Sequence, residues 1–401
     1  MPKNKRKPLD PVDVTLTIED MAFMGEGLAH HEGELVYIPN TIAGEEVVAT
    51  LRWKSRRYTE AEVKEIKTPS PHRVTPPCKY YGECTGCQWQ HIAYPHQLEL
   101  KRRLVADQMR RVGGFADAPV RETIGCEEPW GYRNHARFTI SREGGQLGFV
   151  NRSRRRFVRI DHCLIMDAGV NKLLAQIQER CAETTQLSIR YGVNTGSFLI
   201  QPPLKTESVT LTTGQKHYEE QMMGRRFRIA SPSFFQVNIR QAERLIAIVR
   251  EGLGLTGKEV LVDAYAGVGT FAALLASSAK QVIAIEESAS AIADAKVNIE
   301  GLANVTLAEG KTEEVMAQMS ERPDAVILDP PRTGCHKTTL DSLVRLRPDR
   351  VAYVSCDPES LARDLKILCE GGYELLEVQP VDMFPHTYHI EAVATLRWRG
   401  G

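Results

Sequence analysis

Four short apolar runs in the second half of the chain, Val260–Asp263, Val282–Glu286, Asp324–Asp329 and Arg350–Val354, constrain its fold more than any other feature. Each has the length of a strand, and the sequence between them has room for helices. Strands buried on both faces read as unbroken apolar runs, because crossover helices cover each side of a parallel sheet. After the first run comes Ala264-Tyr265-Ala266-Gly267-Val268-Gly269-Thr270, a glycine turn opening into helical sequence. Strand, glycine turn and helix in that order predict a Rossmann-like α/β domain whose ligands sit at the carboxyl ends of the strands. Glu286 lies about twenty residues after the turn, where an acid grips ribose hydroxyls. A dehydrogenase is the usual competitor. Here the turn lacks the full GxGxxG, and Asp329-Pro330-Pro331 after a later strand favours methyl transfer.

The segments that follow the last two runs carry the chemistry. Asp329-Pro330-Pro331-Arg332-Thr333-Gly334 follows the third, Val354-Ser355-Cys356-Asp357-Pro358 closes the fourth, and Glu391 comes later. A methyl donor beside a nucleophilic cysteine points to methylation of carbon. The C5 carbon of uracil is too weak a nucleophile to take a methyl group unaided. A thiolate adding at C6 turns the ring into an enolate whose C5 can attack, and a base must then remove the C5 proton so that the thiolate leaves. A free thiol ionises at about 8.5, so its surroundings must help. Alone, Cys356 would read as a buried strand-end thiol. Its place between Ser355 and Asp357-Pro358 makes it the nucleophile candidate, whereas Cys126, Cys181, Cys335 and Cys369 lack that context and read as structural.

The N-terminal half has a different texture. Residues 9–67 show alternating runs such as Leu35–Pro39 and Val47–Leu51, punctuated by Gly25, Gly27, Gly33 and Gly44, and predict a small β-barrel. Either it is of oligonucleotide-binding type or it is a β module that packs on the rest. A proline-rich linker, Thr68–Pro77, leads to Cys78, Cys84 and Cys87 in one turn-rich loop, with Cys163 far along the chain. Four thiolates suit zinc or an iron–sulfur cluster, and the single CxxC favours the cluster. Unligated loop cysteines are the bland alternative. His91 and His162 nearby read as packing or supporting residues. Residues 98–235 predict a central α+β region, with a helix over 98–112 and a mostly antiparallel sheet.

Lys+Arg and Asp+Glu balance at 51 each, which does not favour a nucleic-acid partner, but the distribution is uneven. Residues 1–160 hold 26 basic against 20 acidic residues, and the basic ones cluster at 52–58, 101–103, 110–111 and 152–159. Several clusters carry an aromatic, as RNA-binding surfaces do. Nine cysteines without a secretory signal predict reduced thiols and a cytoplasmic protein, and no run is long and apolar enough to span a membrane.

Taken together, Phe235–Asn238, Asp263–Thr270, Asp329–Gly334, Val354–Pro358 and His386–Glu391 make the chain resemble the RNA 5-methyluridine (uracil-C5) methyltransferase family, in its members with a TRAM barrel and a four-cysteine iron–sulfur site. The resemblance spans nearly the whole chain. It implies a class I methyltransferase domain over 236–401, a TRAM-like, OB-like β-barrel over 1–67 and a central α+β domain over 68–235 carrying the iron–sulfur site. It implies Cys356 as nucleophile and Glu391 as base. Gln236, Tyr265, Gly267, Gly269, Thr270, Glu286 and Asp329 would hold S-adenosylmethionine, with Lys311 near the adenine, and Cys78, Cys84, Cys87 and Cys163 would hold a [4Fe–4S] cluster. The expected partner is RNA, ribosomal RNA preferred and the tRNA T-loop second, bound by a monomer with no membrane. Two rivals are a methyltransferase of exocyclic nitrogen or protein glutamine, which needs no thiol, and a non-catalytic RNA-binding assembly factor.

Overall fold

The computed structural model describes residues 7–141, 143–151 and 155–400. Part of the basic N-terminus and Arg152–Arg154 of the arginine run lie outside these. Contacts divide the chain into two compact units, Met1–Lys101 with Val150–Val158 and Phe384–His389, and Arg102–Phe149 with Arg159–Met383 and Ile390–Gly401.

In the first unit, β1 (Lys7–Thr17), β2 (Asp20–Met21), β3 (Gly27–His31), β4 (Glu34–Ile38), β5 (Glu46–Lys54) and β6 (Thr59–Thr68) form one sheet in the order β1-β5-β6-β4-β3-β2. Period-two alternation aims Leu16, Ile18, Ala29, Val36, Ile38, Val47, Ala49 and Ala61 into a shared core. The β3–β4 hairpin turns at Glu32 and Gly33 with φ of 51° and 79°. Two positive φ values are what a two-residue hairpin loop matching the strand twist requires. From 69 to 93 there is no helix and only isolated bridges. Side chains anchor this stretch instead. Buried Trp89 donates its indole N–H to the Gly25 carbonyl at 3.0 Å, and Arg73 forks onto Glu45 at 2.6 and 2.7 Å. The chain continues into α1 (Tyr94–Gln108), which closes in a π-turn at Met109–Gly113. Its Gln97 fixes the distant Phe384–His389 segment by accepting from the His386 N–H at 3.0 Å.

The second unit holds the remaining elements, apart from Val150 and Phe157–Val158, which fall in the first. β7 (His135–Ile140), β8 (Leu147–Val150), β9 (Phe157–Arg159), α2 (Ala168–Ile177), β10 (Gln186–Tyr191) and β11 (Phe198–Gln201) build a five-stranded sheet in the order β11-β10-β7-β8-β9, followed by the hairpin β12 (His217–Met222) and β13 (Arg225–Ala230). α3 (Ile239–Leu253) starts at Asn238, whose Oδ1 accepts from the Gln241 N–H and whose Nδ2 donates to the Met383 carbonyl. Asn is among the best residues for such a cap.

The strands read from sequence alternate with helices as expected: β14 (Val260–Ala264), α4 (Thr270–Leu275), β15 (Gln281–Glu286), α5 (Ala289–Asn298), β16 (Val305–Glu309), α6 (Thr312–Gln318), β17 (Ala325–Leu328), α7 (Lys337–Leu346), β18 (Arg350–Ser355), α8 (Pro358–Glu370), β19 (Tyr373–Val381) and β20 (Glu391–Trp398). Their sheet runs β16-β15-β14-β17-β18-β20-β19. It is parallel from β16 to β18, and β20 then inserts antiparallel between β18 and β19. Leu261, Val262, Val326, Ile327, Val351 and Tyr353 are all sealed from solvent. Two-sided burial is why these strands read as unbroken apolar runs. Among the described residues no helix is long and apolar enough to cross a membrane.

Candidate active site

The site builds up at the carboxyl ends of the parallel strands. At the end of β14 the backbone takes φ of 67° at Tyr265, 58° at Gly267 and 82° at Gly269, which precedes α4. A Cβ on Gly267 would meet nothing within 4 Å, so glycine is required there by backbone conformation and not by space. The turn is tied to the neighbouring strand. Glu286 accepts from the Gly267 N–H at 2.8 Å and from the Ser288 N–H at 2.7 Å. Each carboxylate oxygen keeps a further lone pair for a ligand hydroxyl. Thr270 opens α4, partly exposed, and the Tyr265 hydroxyl lies 3.4 Å from Thr339 Oγ1. Lys311 stands exposed at the start of α6 and pairs with Glu314 at 3.4 Å. Gln236 is held by its backbone carbonyl, which accepts from Asn134 Nδ2 at 3.1 Å.

Three acids converge electrostatically at these strand ends. Asp263 is sealed, with Oδ2 accepting from the Ala272 N–H at 2.8 Å and Oδ1 without a partner. Burial pushes its carboxyl up to about 8, and the charges of Asp329 and Glu286 add to the shift. Asp329, part of whose surface reaches solvent, is pushed up by burial to about 7. Asp263 carried no separate signal in the sequence, since its isolation appears only once α4 covers it. The glycine turn, the ribose-facing acid and the unpartnered buried oxygen fit an adenosine-bearing donor with a positive centre.

The thiol site follows from strand register. β18 and β20 pair antiparallel with Ser355 opposite Ala392. β18 ends at Ser355, one residue before Cys356, and β20 begins at Glu391, so both groups lie at the same end of this strand pair, where the charge of Glu391 acts on the thiol. Cys356 is half-buried, and Glu391 is 8% exposed. Burial pushes the thiol up to about 11, the charge of Glu391 and then of Asp329 adds to this, and exposed Arg332 opposes it by charge and by a hydrogen bond. Burial also drives Glu391 well above the usual carboxylate range, helped by Asp329 and resisted by Arg332. Ser355 and Asp357 fix the corner that presents the thiol. The Asp357 N–H donates to Ser355 Oγ at 3.1 Å, and Asp357 Oδ1 caps α8 by accepting from the Ser360 N–H at 2.9 Å.

The cysteines of the N-terminal half are arranged differently. Cys78, Cys84 and Cys87 are half-buried in the loop after the linker, and burial and then the charge of Cys78 raise the Cys84 thiol. Cys163 belongs to the second unit, where its N–H donates to Asn171 Oδ1 at 2.8 Å. Among the described residues no group of three His, Cys, Asp or Glu side chains is placed to hold a metal ion. His91 is a packing residue: Nδ1 meets the Tyr81 hydroxyl at 2.6 Å and Nε2 the Thr41 carbonyl at 3.2 Å. Burial pushes it down to about 4.

A half-buried thiol beside a buried carboxylate, and a glycine turn tied to an acid at the strand ends of an open α/β sheet, suit a group-transfer enzyme, and comparison with known proteins gives the class as RNA methyltransferase. The chain is 35% identical to an uncharacterized RNA methyltransferase of Halalkalibacterium halodurans, over 98% of each chain, and 36% identical to one of Listeria innocua, over 96% of this chain and 97% of the other. Among solved structures it matches the Pyrococcus abyssi tRNA (uracil-54, C5)-methyltransferase in complex with S-adenosyl-L-homocysteine, at a TM-score of 0.75 and 26% identity, covering 96% of this chain and all of that one. Residues 205–399 match the tRNA (uracil-5-)-methyltransferase family. The chain belongs to the RNA uracil-C5 methyltransferase family, whose members transfer methyl groups from S-adenosylmethionine.

Proposed function

We propose that the protein methylates C5 of a specific uridine in RNA through a covalent bond between Cys356 and C6 of the base. The observation that supports this reading is that β18 ends one residue before Cys356 and β20 begins at Glu391, with the charges of Glu391, Arg332 and Asp329 all acting on the Cys356 thiol. Gln236, Tyr265, Gly267, Gly269, Thr270, Glu286 and Asp329 would hold S-adenosylmethionine, which would supply a methyl group from positively charged sulfur and depart as the neutral thioether once that carbon–sulfur bond breaks. Half-buried Cys356 gives its proton to solvent and its thiolate bonds to C6 as the C5=C6 electron pair moves into the ring enolate, while Arg332 offsets the charge of the thiolate. With the methyl group on C5, Glu391 takes the C5 proton, the electron pair of that bond restores the ring double bond, and the C6–S bond breaks to return the thiolate. Burial makes the Glu391 carboxylate a stronger base than one in water. The target base leaves its stack to reach the site.

The N-terminal sheet serves as a TRAM-like barrel over 1–67 that grips flanking RNA together with a central domain over 68–235, and 236–401 form the catalytic domain. Cys78, Cys84, Cys87 and Cys163 are assigned to a [4Fe–4S] cluster on their donor chemistry and spacing alone. No catalytic step passes through it, and iron and sulfide analysis of anaerobically purified protein tests it. We assign the protein to the cytoplasm as a monomer acting on ribosomal RNA. The Pyrococcus abyssi neighbour, a tRNA enzyme, favours the T-loop uridine of tRNA as a second reading. Incubation with labelled S-adenosylmethionine and, separately, ribosomal RNA and tRNA transcripts, followed by nucleoside mass spectrometry, tests both. Label in 5-methyluridine at one site is expected, and label in another nucleoside overturns the reading.

A further inference from the structure

Asp364, on α8, is sealed from solvent and takes no direct part in the chemistry above. A buried carboxylate persists only where donors surround it. Its Oδ2 accepts from the Tyr353 hydroxyl at 2.7 Å and from the Cys335 N–H at 2.8 Å, and its Oδ1 accepts from Arg363 Nε at 2.8 Å. Arg363 extends the reach, donating from Nη2 to the Thr333 carbonyl at 2.8 Å. The two attachments land on either side of Gly334, which has φ of 80° and no room to spare. A Cβ there would lie 2.4 Å from Arg363 Nη2 and 2.5 Å from Asp364 Oδ2. Tyr353 sits three residues before Cys356 on β18, and Arg332 immediately precedes Thr333. One carboxylate thus joins the strand that presents the thiol to the loop that presents the guanidinium.

We propose that Asp364 is a positioning residue: by clamping the Asp329–Cys335 loop to β18, directly and through Arg363, it holds the Arg332 guanidinium at Cys356 Sγ. The inference rests on Cys356 being the nucleophile. A side chain needed only for folding would leave the ionisation of the thiol in the folded protein where it was. Loss of the clamp frees Arg332 and removes its charge from the thiol, while the other charged groups facing Cys356 stay: Glu391 on β20, and Asp329 at the base of the loop, where its N–H donates to the Ala264 carbonyl at 3.4 Å.

The test follows alkylation of the Cys356 peptide by iodoacetamide from pH 7 to 11, by mass spectrometry, in wild type, Asp364→Asn and Arg363→Gln. Arg363 has half its side chain in solvent, so its variant keeps the test open if Asp364→Asn fails to fold. This pH range lies below the wild-type midpoint, where the rate follows the thiolate fraction, so the expected result is alkylation slower at each pH by about threefold or more in Asp364→Asn and by less in Arg363→Gln. Turnover should fall in both, with the KM for S-adenosylmethionine unchanged. An unchanged alkylation profile in the folded variants overturns the inference. Cys356→Ala in the methylation assay separates the underlying reading: if it retains activity, the nucleophile assignment falls and this inference with it, whatever the alkylation rates do.

Discussion

Glu45 in the first unit and Glu391 in the second are both cut off from solvent, yet their carboxyl groups are driven in opposite directions. Burial by itself would raise Glu45, but the Arg73 fork and the backbone N–H groups of Ser70 and Ile42 outweigh it and hold it below the usual carboxylate range. Among the described residues no such set of donors reaches Glu391. Burial and Asp329 raise it, and only Arg332 resists. A carboxylate whose oxygens are all satisfied is a structural part, and one left short of donors has its proton affinity reserved for a reaction.

That contrast breaks if either glutamate behaves like the other. The largest effect belongs to the partner of Glu391. Cys356→Ala should lower label transfer from S-adenosylmethionine to RNA by about 10⁴-fold or more, the scale on which essential nucleophiles act, and near-normal turnover would end the covalent reading. Glu391→Gln should lower turnover by about 10² to 10⁴-fold. It should also leave RNA attached to protein as a slow band on a denaturing gel, because the adduct forms and cannot resolve. Glu45→Gln should do neither. It removes one partner of a buried ion pair, so chemical denaturation should show a loss of about 3 kcal/mol with turnover per folded molecule unchanged.

A smaller effect separates the two units by pH. Asp263, at about 8, Asp329, at about 7, and Glu391 keep protons in the folded protein above the pH at which an unfolded carboxyl, at about 4, loses them. The folded state then binds more protons, so their contribution to stability falls as pH rises from about 4 toward 8. Glu45 does the reverse, with its contribution complete above the unfolded value and lost as pH falls through its lowered folded one. Melting temperature measured across this range should decline less steeply in Asp263→Asn than in wild type, and parallel curves would show that Asp263 is not the titrating group.

Legibility differed between the two halves of the large sheet. β14, β15, β17 and β18 were readable because burial on both faces leaves an apolar run that nothing else explains. The glycine turn was readable because Gly267 and Gly269 answer to positive φ, a local property. β19 and β20 gave no such signal, and the pairing of β18 with β20, which brings Glu391 to the end of the strand before Cys356, is a long-range contact no window along the chain contains. The glutamate is read from the motif around it. Asp364 had no local mark, since its donors come from β18, its own helix and a loop about thirty residues away. The helix read over 98–112 begins earlier, at Tyr94, where Pro95 suits a first turn that needs no N–H, and gives way to a π-turn at Met109.

The half-buried position of Cys356 also bears on how the enzyme survives between substrates. Burial pushes its thiol up to about 11, so the empty site keeps it protonated at pH 7 more completely than a free thiol would be. Peroxides and other electrophiles attack the thiolate form. An idle copy is therefore a poor target for oxidants, and on the proposed mechanism Cys356 becomes reactive only when RNA and donor change its surroundings. Damage during oxidative stress should then track the fraction of enzyme caught at work, leaving the resting pool ready once the stress has passed.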